Sequence, residues 1–179
     1  RGSEEVSFGP GLEEAESAVV LIHGRGDSAQ GILALAPELQ APRTAFLAPQ
    51  AVGFSWYPYS FLSEVELNEP WLSSALDRVE AAVTAVSTVI PKERVVLMGF
   101  SQGACLALEF AARNTRRYGG VVAFSGGLIG PDGTPRDYPG SLEGTPVFLG
   151  CSDVDVHVPV ERVHESAHVL RGLGGEVDE

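Results

Sequence analysis

Three features of the 179-residue sequence predict an α/β domain built on a mostly parallel sheet. Short apolar runs rich in β-branched residues recur without alternating polar and apolar positions, which is the pattern of strands covered on both faces. Amphipathic helical patterns lie between those runs. The regular alternation of the two signals is what a parallel sheet with crossover helices requires.

The elements follow in chain order. Residues 5–8 read as a short antiparallel edge strand, and residues 18–22 and 44–47 as the first two core strands. Between them, Asp27 or Ser28 offers a side-chain cap to a helix beginning near Ala29. Residues 49–68 form a long irregular stretch carrying Phe54, Trp56, Tyr57, Tyr59 and Phe61. From Asn68, a plausible cap, Leu72, Leu76, Val79, Val83, Val86 and Ile90 make one apolar helical stripe, with Pro70 tolerated in the first turn. A strand at 95–98 leads into a helix from Gln102 to Arg113 that is apolar nearly all round, hence central and buried. Strands at 121–124 and 147–149 flank a Gly- and Pro-rich stretch. A helix over 159–171, with Gly172 as its stop, and a strand from about Glu176 complete the chain as a single domain over residues 1–179.

Composition removes several function classes. Acidic residues outnumber basic ones 24 to 12, a net charge of -12, and no basic stripe of a nucleic-acid binder is present. The same field disfavours an anionic membrane surface, and no apolar run approaches the ~20 residues of a membrane span. Lys92 is the one lysine against eleven arginines, a bias of genome composition or of salt adaptation. The opening Arg1-Gly2-Ser3-Glu4-Glu5 lacks a methionine and a signal-peptide apolar core, so it reads as a processed or added start. Cys105 and Cys151 sit in apolar stretches and read as free thiols of a reducing, cytoplasmic compartment.

Gly99-Phe100-Ser101-Gln102-Gly103 carries the strongest chemical signal. It lies between a strand and a buried helix, the context that the G-x-S-x-G nucleophile elbow needs. A serine on so sharp a turn has close neighbours two positions away on either side, and Gly99 and Gly103 remove the clash. Ser101 also stands at a helix N-terminus, where free N–H groups favour developing negative charge. The bland alternative is a glycine-flanked turn whose serine only caps the helix.

Together with four other segments, this elbow resembles the carboxylesterase/phospholipase family of α/β-hydrolases that includes the acyl-protein thioesterases. The segments are Leu21-Ile22-His23-Gly24-Arg25-Gly26-Asp27-Ser28, Ala48-Pro49-Gln50, Trp56, and Asp155-Val156-His157-Val158-Pro159, in family order across residues 18 to 175. The resemblance implies the α/β-hydrolase fold, with Ser101 as nucleophile and Asp155 as the acid orienting a catalytic histidine. It implies an oxyanion hole made by the backbone N–H groups of Arg25 and Gln102, a role their positions also support. His23, with Gly24, is then a structural brace of its loop and not the base, because the triad order places the histidine last. Asp153 is the second candidate for the acid.

The same order calls for a histidine on the loop after the last strand, and residues 1–179 contain none there. His157 is too close to Asp155 to be oriented by it, and His164 and His168 share a helix face with no third metal ligand in view. The expectation is a chain lacking its C-terminal histidine loop and last helix.

The function expected is a serine carboxylesterase acting on small or acyl-chain esters, thioesters or lysophospholipids through an acyl-enzyme, without metal or organic cofactor. The aromatic loop from Phe54 to Phe61, Phe54 and Trp56 foremost, with Leu128 and Ile129 from the second loop, is the candidate for an apolar substrate pocket, or for simple loop packing. A dienelactone-hydrolase-like activity fits less well, since that pattern uses a cysteine where Ser101 stands. A non-catalytic binding protein with the same fold is the alternative from another class. The partner expected is a small-molecule acyl ester, and a homodimer through a sheet edge or the loops is compatible with the sequence.

Overall fold

The computed structural model describes residues 5–179. Among the described residues, seven strands form one sheet: β1 Glu5–Phe8, β2 Ser17–Ile22, β3 Thr44–Pro49, β4 Val95–Phe100, β5 Gly120–Phe124, β6 Pro146–Gly150 and β7 Glu176–Asp178. Their order across the sheet is β1-β3-β2-β4-β5-β6-β7. Only β1 is antiparallel, pairing with β3, and the other neighbours are parallel. Every core strand read from the sequence is present, each longer by one or two residues.

Among the described residues, four α-helices connect the strands: α1 Ala29–Leu33, α2 Trp71–Ser87, α3 Gln102–Arg113 and α4 Val160–Gly172. The α2 stripe is buried at Leu72, Val79, Val83 and Val86, and packs in one core with the inward side chains of β2 to β6. Ser28 caps α1, accepting the Gly31 N–H at 3.0 Å, while Asp27 instead accepts the Ser28 N–H at 2.7 Å.

Two local expectations change. Asn68 does not cap α2; it is fully buried, accepting the Tyr59 N–H at 2.8 Å and donating to the Ser60 carbonyl at 3.1 Å, so it ties down the aromatic loop. The left-handed residue after α4 is Gly174, at φ +87°, because the helix runs through Gly172 before turning.

Helix α3 is buried along its length, yet it carries Glu109, which is 2% exposed. That carboxylate accepts from the Arg113 guanidinium at 2.9 Å, the Ile129 N–H at 3.0 Å and the Tyr138 hydroxyl at 2.9 Å. Buried Arg162 of α4 donates to the carbonyls of Leu128 and Gly130 and to Asp132. The Gly/Pro-rich stretch between β5 and β6 is thereby clamped onto two helices. A buried charge without such partners would cost several kcal/mol, so the clamp and the loop depend on each other.

The two faces of the sheet differ. Helices α2, α3 and α4 cover one, whereas α1 covers the other only across β1, β3 and β2. Beyond α1, Phe100, Phe124 and Phe148 remain partly exposed on neighbouring strands.

Candidate active site

Ser101 is the single residue between β4 and α3, with φ 54° and ψ -118°. A non-glycine residue in this region costs about 1–3 kcal/mol, and such strain persists only where surrounding structure enforces it. Here the enforcement is visible. The Ser101 N–H donates to the Phe124 carbonyl of β5 at 2.8 Å, and its own carbonyl accepts from Cys105 at 3.1 Å. A Cβ at Gly99 would run into the Gly103 carbonyl, and one at Gly103 would run into the carbonyl of Ile22 and lie 2.5 Å from that of His23. The two glycines therefore let β4, α3 and the end of β2 come together, while Gly24 is less tightly confined, at 3.3 Å from the Phe100 carbonyl.

His23 is fully buried at the C-terminal end of β2. Its Nδ1 lies 2.7 Å from the Gly24 carbonyl, and its Nε2 accepts the Ala51 N–H at 3.1 Å. That pattern is the neutral ring protonated on Nδ1. The ring packs against Trp56, with centroids 5.0 Å apart. Burial lowers the His23 pKa from its ordinary 6.5, outweighing the Gly24 carbonyl and Asp27, which pull the other way. The unfolded chain thus binds a proton more readily than the folded one. Stability from this site is complete above pH 6.5 and declines as the pH falls below it toward the lowered folded value. Urea midpoints measured at pH 7.5 and 5.5 are expected to show a smaller acid loss in His23→Gln than in the native protein; equal losses would contradict this assignment.

Both proposed oxyanion donors lie where their amides are free. Gln102 opens α3, so its N–H has no partner within the helix. Among the described residues, the Arg25 N–H donates to no main-chain carbonyl, while the next two amides do: Gly26 to Phe54 at 2.7 Å and Asp27 to Gly24 at 3.2 Å. The side chains of these same residues do something the sequence did not reveal. Gln102 Oε1 accepts the Trp56 N–H at 2.9 Å, and its Nε2 donates to the Tyr57 carbonyl at 2.9 Å. The Arg25 guanidinium donates to Ser55 Oγ at 2.9 Å and to the carbonyls of Pro58 and Tyr59 at 3.0 Å. Together they fasten the aromatic loop above the elbow.

Asp155 follows β6 on the same edge of the sheet. One carboxylate oxygen accepts the N–H groups of His157 at 2.8 Å and Val158 at 2.9 Å, and these bonds hold its pKa below the ordinary value. Asp153 is exposed nearby. Among the described residues, no histidine ring bonds to the Asp155 carboxylate. His23 is committed to the core, His164 pairs with Glu179 at 3.1 Å on an exposed face of α4, and His168 is exposed on the same helix. No group of three metal-ligating side chains occurs among the described residues.

A cavity of about 590 Å³ opens at Ser101 and Gln102, walled by Arg25, Tyr57, Phe61, Cys105, His157 and Val158 among others. Its lining corrects the expected pocket. Leu128 and Ile129 are buried in the core, drawn there by the Ser166 hydroxyl and Glu109, which accept their amides. Trp56 is 4% exposed and donates its indole N–H to the His23 carbonyl at 2.8 Å, so it supports the loop from behind. Phe54 points to solvent, 54% exposed. Phe61 and Tyr57, in the same aromatic stretch, line the cavity in their place. An aromatic loop reads clearly from sequence, but which of its faces turns inward depends on the Gln102, Asn68 and Arg25 bonds. The Cys105 thiol on the cavity wall is pushed up to about 12 by burial, which leaves it a poor nucleophile beside Ser101.

A family model described as phospholipase/carboxylesterase matches residues 9–179. The crystal structure of a phospholipase/carboxylesterase from Dyadobacter fermentans superposes with a TM-score of 0.95 at 43% identity, covering 99% of this chain and 85% of that one. Esterase PE8 superposes with a TM-score of 0.77 at 26% identity, covering 98% of this chain and 86% of that one. Acyl-protein thioesterase 1 of Saccharomyces cerevisiae is 28% identical over 169 residues, which cover 83% of this chain and 74% of the yeast protein.

Proposed function

Because the chain belongs to the phospholipase/carboxylesterase family of α/β-hydrolases, we propose that it hydrolyses acyl esters or thioesters with Ser101 as nucleophile. The observation that carries this reading is the enforced backbone of Ser101 at the mouth of a cavity bordered by two free amides. The Ser101 oxygen attacks the acyl carbonyl carbon and gives its proton to a base, which family membership makes a histidine and which no described residue supplies at Asp155; the base returns the proton to the departing alcohol or thiol. The carbonyl oxygen, negative in the tetrahedral intermediate, rests on the Arg25 and Gln102 N–H groups; one such donor is typically worth ~10²–10³ in turnover. Asp155, kept ionised by two amides, is the carboxylate that would orient that histidine and stabilise its charged form. Water then attacks the acyl-enzyme and the acid leaves.

Small-molecule acyl esters are the substrate class we favour, because a cavity of about 590 Å³ matches a small ligand. A cytoplasmic setting belongs to the same reading, supported by the free thiols of Cys105 and Cys151. Among the described residues, no helix is long and apolar enough to cross a membrane.

The test is covalent capture. Incubation with a fluorophosphonate, followed by intact mass and peptide mapping, is expected to give one adduct on Ser101. No adduct, or an adduct on another residue, would overturn the assignment.

A further inference from the structure

The cavity at Ser101 has an unusual charge for this molecule. The chain carries 24 acidic residues against 12 basic ones, yet among the described residues no aspartate or glutamate lines the cavity, whereas Arg25 and His157 both do. Of the carboxylates nearby, Asp27 accepts the Ser28 N–H and Asp155 the main-chain N–H groups of His157 and Val158, so neither pairs with Arg25, and Asp153 is exposed.

Arg25 itself is exposed, and among the described residues it forms no ion pair. Its partners are three neutral oxygens, on Ser55, Pro58 and Tyr59. A guanidinium has five N–H donors, so three are used and two remain, and among the described residues no carboxylate lies within ion-pair distance of it. The bonds to the loop also hold the group in place, so little side-chain freedom is lost when an anion arrives.

We infer that this cavity takes esters bearing an anionic group, a carboxylate above all, with the Arg25 guanidinium as its counter-charge and the His157 ring as a further polar contact. The inference rests on the hydrolase reading above and adds the substrate class. In a chain of net charge -12, a cationic recess also concentrates anions that the remaining surface repels.

The experiment compares two carboxylate esters with their neutral amide counterparts. Monomethyl glutarate, with its carboxylate on the acyl side, is set against the methyl ester of glutaric monoamide; 4-acetoxybutyrate, with its carboxylate on the alcohol side, is set against 4-acetoxybutyramide. In at least one pair the anionic ester is expected to show about tenfold higher kcat/KM at low salt, with the ratio shrinking as NaCl is raised. The pair that responds identifies the side on which the anion sits. The ratio is expected to persist in Arg25→Lys and to fall toward one in Arg25→Gln; as a ratio, it cancels any shared effect on turnover. If Arg25→Gln does not fold, the native protein still decides: glutarate should protect Ser101 from fluorophosphonate labelling at lower concentration than glutaramide. No preference in either pair, or equal protection by the two compounds, overturns this inference and leaves the hydrolase reading standing. Failure of the fluorophosphonate to label at all overturns both.

Discussion

Ser101→Ala is expected to lower ester hydrolysis by on the order of 10⁴–10⁶ while leaving the fold intact. The substitution removes one oxygen from a half-buried position and puts nothing in its place. The backbone at φ 54° is held by the Phe124 and Cys105 bonds, neither of which uses the side chain. Thermal unfolding should therefore shift little, and what disappears is the atom that forms the acyl-enzyme. The residual rate reports the oxyanion donors acting on water without a nucleophile. Comparable turnover in native and variant proteins would remove Ser101 from the mechanism. Binding of acyl ligands without turnover in either would favour a non-catalytic binding protein.

Gly103→Ala should act in the opposite way, on the scaffold before the chemistry. The added methyl has nowhere to go, because it would meet the main-chain carbonyls of Ile22 and His23, which cannot rotate aside as a side chain can. Either α3 moves away from the end of β2 or the fold loses roughly 3 kcal/mol, the upper range of overpacking costs. Moving α3 would also shift the Gln102 amide away from the Arg25 amide, so labelling by a fluorophosphonate should slow along with the loss of stability. Gly172→Ala supplies the comparison, since nothing lies within 4 Å of a Cβ built there. It should be neutral or stabilising by a few tenths of a kcal/mol. Equal urea midpoints for native protein and Gly103→Ala would show that the close approach at Gly103 is not enforced.

The sheet, the order of its elements and the place of the elbow were all legible along the chain. These rest on local information: apolar runs for β2 to β6, the stripe from Leu72 to Val86, and glycines spaced two residues either side of Ser101. Hydrophobic period and backbone sterics act over a few residues, so they are legible without the fold. Which side chains line the cavity depends on long-range packing. Phe54, Trp56, Tyr57 and Phe61 share one composition-rich loop, yet one faces solvent, one braces His23 and two line the cavity. Leu128 and Ile129 look like pocket residues in a Gly-rich loop until Glu109 and Ser166, about twenty and forty residues away, draw their amides into the core. Contacts between residues so far apart leave no periodic trace along the chain. For the same reason, the lack of an ion pair at Arg25 among the described residues emerges only once Asp27 and Asp155 are seen bonded to main-chain amides.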